Sequence, residues 1–194
     1  MVERTLYCSG KKMRDEFRIV SNFYTHEQLL EFNKYLERDA EKCAADDKPS
    51  GAANKTLDAY TVHWGHAKEY LGKLEELTHH LNHYHFGLDI YLMTGYDCIN
   101  YNVYTADKLS EYTWHKDGRL DVVSDIKLTV ILNASTEEYE GGDFEFFLNG
   151  PRKVLGFDPG SFIVFPSWIQ HRVTPVTKGV RKTVSFWIQG PRFR

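Results

Sequence analysis

The sequence predicts a mainly β fold, an antiparallel sandwich or barrel with two helices packed on a sheet. Aromatic residues reach 14%, with 12 Tyr and 12 Phe, and such flat side chains favour strands. Helical spacing of apolar residues is confined to the first half of the chain. From Asp89 onward the pattern alternates, in short runs divided by turn residues. Many short strands without intervening helices argue for antiparallel pairing rather than a parallel α/β sheet.

Taken in order, Thr25 with Gln28 is a capping-box pattern, and Leu29, Phe32 and Leu36 follow at helical spacing toward Arg38. This predicts the first helix. Residues 43–60, which include DDKPSGAANK, hold Pro, Gly, Ser and Asn with little apolar content and predict a surface loop, a candidate lid over a site. The second helix carries a stripe of Tyr70, Leu74, Leu77, Leu81 and Tyr84, with Gly87 as its stop. Strands are expected near 98–104, 125–133, 142–148, 161–165, 172–176 and 180–189, separated by the turns Asn149 to Pro151, Asp158 to Gly160 and Lys178 to Gly179. With no internal repeat, the 194 residues read as one domain: a helical support region over 1–88 and a strand-rich core over 89–191.

Composition bounds the function. Apolar residues at 42% and charged residues at 26% exclude a disordered or collagen-like chain. Lys and Arg number 24 against 27 Asp and Glu, a net charge of −3, so neither nucleic acid nor an anionic membrane is an expected partner. The odd, widely spaced Cys8, Cys43 and Cys98 form neither a disulfide framework nor a metal knuckle and suit a reducing compartment. The opening MVERTLYCSGKKMRDEF lacks a signal peptide's apolar region, and no run approaches the roughly 18 apolar residues that span a bilayer. The expected location is cytoplasmic.

The chemistry centres on His115, Lys116, Asp117 and a distant His171. Residues i and i+2 of an extended segment point to one side, so His115 and Asp117 can converge on one ion. With His171 they form a two-histidine, one-carboxylate facial set that leaves coordination positions open, as non-haem Fe(II) oxygenases require. The tripeptide alone is also a common surface-loop sequence. Arg181 follows on the next strand. A three-residue loop of Thr177, Lys178 and Gly179 pairs Val176 with Val180 and His171 with Ser185, so that His171 and Arg181 share a face about 13 Å apart. A small dicarboxylate held by the metal at one end and by the guanidinium at the other fills that gap. Taken alone, Arg181 is equally a surface arginine beside an acid. On the last strand Arg181, Thr183, Ser185 and Trp187 face a ligand-holding lumen, while Val180, Val184, Phe186 and Ile188 face the helices. Trp187 also fits ordinary packing.

The stretch HRVTPVTKGVRKTVSFWIQGP at 171–191, the segment 104–117 and the EGGDFEF run at 140–146 resemble the iron and 2-oxoglutarate dependent oxygenases. The resemblance covers about 90–191 and is most similar to the prolyl 4-hydroxylase-like group, especially the PKHD-type hydroxylases. It implies a double-stranded β-helix, or jelly roll, with the N-terminal helices on the major sheet. It further implies Fe(II), 2-oxoglutarate and O2 as cofactors, ascorbate as reductant, succinate and CO2 as products, and a proline-containing protein or peptide as substrate. By the same resemblance His115, Asp117 and His171 bind iron, Arg181 binds the distal carboxylate, Tyr104 lines the cosubstrate pocket, Tyr112 lies closer to the metal, and Trp187 helps exclude water. Tyr104 and Tyr112 also fit core positions. Ile131 is a departure, since several prolyl hydroxylases carry tyrosine there. The rival readings are hydroxylation of free proline or another small molecule, and a cupin-like metal-binding module without oxygenase activity. Nucleic-acid demethylation is disfavoured by the acidic balance.

Other signals read as structural. His79 and His83 fall opposite the Leu77 and Leu81 stripe, toward solvent, and with His80 and His85 suggest a solvated face. His63 and His66 read as loop or helix-start residues. Gly141 and Gly142 precede a strand, so they are a tight turn rather than a phosphate cradle. The basic tail around Arg181, Lys182, Arg192 and Arg194 reads as solvated.

Overall fold

The computed structural model describes residues 16–42, 55–117 and 124–192. Its elements are β1 (Arg18–Val20), α1 (His26–Asp39), β2 (Glu41–Lys42), β3 (Asp58–His63), α2 (Trp64–Leu81), then β4 (Cys98–Thr105), β5 (Tyr112–His115), β6 (Ser124–Asn133), β7 (Tyr139–Gly141), β8 (Phe144–Phe147), β9 (Pro151–Lys153), β10 (Phe162–Pro166), β11 (His171–Val173) and β12 (Val176–Pro191). The major sheet runs β1-β10-β6-β12-β4-β3-β2, with β7 paired to one end of β12, and the minor sheet runs β5-β11-β8-β9. This is a double-stranded β-helix.

Two apolar layers follow from the two-residue period of the strands. Leu128, Val130 and Leu132 of β6 and Val184, Phe186 and Ile188 of β12 pack against Leu29, Phe32 and Leu36 of α1 and Leu71 and Leu74 of α2. The opposite faces meet the minor sheet, where Tyr104, Ile131, Ile163 and Phe165 pack against Phe144, Phe146 and Val173. α1 begins with the expected capping box: the Thr25 hydroxyl accepts from the Gln28 amide and the Gln28 side chain accepts from the Thr25 amide.

The structure corrects several expectations. Residues 58–60, read as loop, lie in β3, which pairs with β4; residues 43–54, and with them most of the candidate lid, lie outside the described residues, as do Cys8, Cys43 and Arg194. The buried face of α2 is Trp64, Ala67, Leu71, Leu74, Glu75 and Thr78, whereas Tyr84 of the predicted stripe is 56% exposed. Glu75 is buried because its carboxylate accepts the Met93 amide at 2.7 Å, and Thr78 because its hydroxyl donates to the Leu74 carbonyl at 2.8 Å. Gly87 ends the helical run with φ of 62°.

The largest correction concerns the hairpin at 177–179, which does not form. Residues 176–179 continue as the start of the 16-residue strand β12 and pair with β7. Gly179 permits this at φ of +69°, where a Cβ would lie 2.3 Å from the Glu138 carbonyl oxygen. His171 therefore pairs with His115 and Phe146 in the minor sheet, while Ser185 pairs with Asn100 and Ile131 in the major one.

Candidate active site

His115 ends β5 and His171 begins β11, directly opposite each other in the ladder. Asp117 follows two residues on, and the donor atoms of these three side chains lie within 4.8 Å of one another. His115 Nε2 is 3.6 Å from Asp117 Oδ1, and His171 Nε2 is 3.5 Å from Asp117 Oδ2. Each histidine places Nδ1 against a backbone carbonyl two residues earlier, Thr113 at 2.7 Å and Ile169 at 3.0 Å. A carbonyl only accepts, so Nδ1 carries the proton and Nε2 presents a bare lone pair. Burial and the neighbouring His171 push the His115 pKa down to about 4 against the opposing pull of Asp117. Two imidazoles and a carboxylate, aimed at one another at distances too long for good hydrogen bonds, form a donor set that fits a divalent cation.

Aromatic rings close the sides. Tyr112 stacks on His115 with centroids 3.6 Å apart, and Phe165 and Phe144 flank His171 at 4.8 and 5.4 Å. Burial, reinforced by the Asp117 charge, pushes the Tyr112 phenol up to about 12, so it remains neutral at physiological pH.

Arg181 is deep in the lumen at 1% exposure, which corrects the solvated reading of the basic tail; its neighbour Lys182 instead reaches Glu37 at 2.8 Å. The Arg181 guanidinium sits 5.1 Å from the Tyr104 ring and 6.0 Å from that of Phe157. Its Nε and Nη1 are buried without an acceptor among the described residues. An unsatisfied buried cation is costly unless a ligand completes it, and a carboxylate matches its fork. Tyr104 stands directly opposite Arg181 in the β4 to β12 ladder. Burial raises its phenol pKa, partly offset by Arg181. Trp187, also on this face, is partly buried, and its indole N–H lacks an acceptor among the described residues. Ile131, the departure noted above, is 7% exposed and belongs to the same layer as Tyr104.

The structure thus brings His115, Asp117, His171 and Tyr112 together and sets Arg181 and Tyr104 side by side on the facing sheet. It adds one residue not singled out from sequence, Thr129, and a role beside Arg181 for Gly142, read from sequence only as a tight turn. The Thr129 hydroxyl donates to Asp117 Oδ2 at 2.8 Å. Gly142, with φ of +62°, leaves room for Arg181, because a Cβ there would be 2.7 Å from Arg181 Cδ. The remaining histidines build no second centre: among the described residues only the one cluster has ligand spacing. His80 and His83 are exposed, but His79 is not on a solvent face, since it lies 3.9 Å from the buried Glu75 carboxylate.

Residues 99–189 match the family model of the 2OG-Fe(II) oxygenase superfamily. Over those residues, just under half of the chain, the sequence is similar to the 2OG-Fe(II) oxygenases. Within that superfamily the chain is similar to PKHD-type and prolyl 4-hydroxylase-like proteins. A PKHD-type hydroxylase of Alteromonas mediterranea is 38% identical over 86 residues, which are 40% of this chain and 38% of the relative. The match thus spans about two fifths of that curated relative's length. Among solved structures, a Pseudomonas putida prolyl-4-hydroxylase aligns with a TM-score of 0.67 at 17% identity, covering 92% of this chain and 94% of the other. The viral collagen prolyl hydroxylase of Paramecium bursaria Chlorella virus-1, in its 2OG complex, aligns at 0.65 and 16%, covering 91% and 97%. At these identities the alignments speak for the oxygenase fold. Among the described residues no helix is long and apolar enough to cross a membrane.

Proposed function

We propose that this protein is an Fe(II)- and 2-oxoglutarate-dependent dioxygenase that hydroxylates prolyl residues in a protein or peptide. One observation carries the reading: a two-histidine, one-carboxylate cluster shares a lumen with a buried arginine whose Nε and Nη1 lack acceptors among the described residues. His115, Asp117 and His171 would hold Fe(II). Bound there, iron with 2-oxoglutarate, kept reduced by ascorbate, supplies oxygen activation, with succinate and CO2 as the coproducts.

The chain's own residues do the rest. Arg181 takes the distal carboxylate through two charge-assisted hydrogen bonds, and the neutral Tyr104 phenol beside it completes that pocket. Tyr112 holds the His115 ring by stacking and would shield the metal from water, and Trp187 would help keep water out of the lumen. The prolyl substrate is supported by the kinship to PKHD-type and prolyl hydroxylases.

The test is succinate formation from 2-oxoglutarate by anaerobically iron-loaded protein after oxygen is admitted, with proline-containing peptides or free proline and mass spectrometry of both. Succinate that disappears in His115→Ala, with a gain of one oxygen on peptide, is the expected result. Oxygen gained only by free proline overturns the peptide substrate. No succinate, with no binding of 2-oxoglutarate to the metal-loaded protein, overturns the oxygenase reading and leaves a metal-binding module.

A further inference from the structure

We propose that Thr129 is a positioning residue of the metal centre, whose hydroxyl holds the Asp117 carboxylate with one oxygen presented to the metal. This rests on the metal site proposed above.

Asp117 lies beyond the last residue of β5, so that strand's own ladder does not orient its side chain. The major sheet supplies the grip. Thr129 Oγ1 is 2.8 Å from Asp117 Oδ2, and Thr129 itself is fully buried in the middle of β6. It is paired on one side with Phe165 and on the other with Trp187. A β-branched side chain there has little χ1 freedom, so the hydroxyl is set by the sheet.

Thr129 Oγ1 also lies 3.1 Å from the Ser167 hydroxyl, and Ser167 is likewise fully buried. A hydroxyl carries one proton and a carboxylate only accepts, so Thr129 donates to Asp117 and Ser167 donates to Thr129. The two bonds run in series, each polarising the next. The Ser167 carbonyl meanwhile accepts the Asp117 amide at 3.1 Å. Oδ2 is thereby engaged and Oδ1 keeps both lone pairs for a cation. Ligation through one oxygen preserves the open positions that the cosubstrate and dioxygen need, whereas a carboxylate free to turn can occupy one of them.

Two substitutions separate this role from packing. Thr129→Val keeps the shape and removes the donor; Thr129→Ser keeps the donor and removes the methyl. The probe is Mn(II), titrated calorimetrically without oxygen or 2-oxoglutarate, with thermal unfolding of the metal-free proteins as a folding control. Thr129→Val should weaken Mn(II) binding about 10-fold or more, the usual effect of losing a partner of a metal ligand, and Thr129→Ser should stay near wild type. The reverse pattern, or a valine variant that binds as tightly as wild type, overturns the proposal. Should the valine variant fail to fold, Ser167→Ala removes the first donor of the series and should weaken Mn(II) severalfold; unchanged binding there counts against the relay. Wild-type protein that takes up no Mn(II) overturns the metal site itself, an outcome distinct from loss in the variant alone.

Discussion

The buried arginine sets the terms of this site. A buried guanidinium with Nε and Nη1 unpaired among the described residues destabilises the ligand-free protein, and replacement by an apolar side chain of similar length relieves that cost. Arg181→Met should therefore leave the Tm of the protein without 2-oxoglutarate equal to wild type or higher. The same variant should lose about 2–5 kcal/mol of 2-oxoglutarate affinity, the scale of truncating one partner of a buried charge pair, while Mn(II) affinity stays unchanged. Calorimetry and thermal unfolding measure both. His115 adds a pH dependence. Its pKa is lowered from 6.5 to about 4 in the folded chain, so between those values the unfolded chain binds more protons at this site and the metal-free protein loses stability as pH falls. Urea titrations at pH 7 and pH 5 should show that loss, and His115→Gln should reduce it. The three proposed ligands and Arg181 were legible as residue types at fixed spacings, and the two tyrosines through the family resemblance. Thr129 and the second role of Gly142 were not, because a hydroxyl that meets a carboxylate and a glycine that makes way for a guanidinium are recognised only by what lies across the sheet.

Among elements, the last strand explains most of the difference between expectation and structure. Its alternation was legible, and Val184, Phe186 and Ile188 do face the helices. Its start was misread because the partner β7 is only three residues long, too short to give a periodic signal, and because a lysine and glycine pair looks the same in a hairpin and in a strand that twists past a neighbour. Gly179→Ala tests that contact. The added Cβ meets the Glu138 carbonyl at 2.3 Å in a left-handed backbone, so a loss of at least about 1 kcal/mol is expected, read as a lower urea midpoint with unchanged m-value. An unchanged midpoint would mean that β7 is not held there. The face of α2 was misread for another reason: Glu75 and Thr78 are polar in sequence yet satisfied in place.

At the scale of the molecule, the two sheets contribute different parts of one function. The minor sheet carries both histidines, and the major sheet carries Arg181, Tyr104 and the hydroxyl that steadies Asp117. A bound metal thus ties the layers together, and ligation adds stability by mass action, about 2.7 kcal/mol at a hundredfold excess over Kd. Mn(II) should raise the Tm of wild type measurably and that of Asp117→Ala little; equal shifts would place the metal elsewhere.

The central position of β12, between β6 and β4, has a consequence for the order of assembly. Until this final strand docks, the larger sheet exists only as two separate flaps, one of β1, β10 and β6 and one of β4, β3 and β2. All three proposed metal ligands precede it in the chain, so a refolding intermediate can gather them while it still lacks the seam that closes the lumen and brings in Arg181. Refolding should then be slow, as in other folds dominated by distant pairings, and competence to bind metal should appear before competence to bind the dicarboxylate.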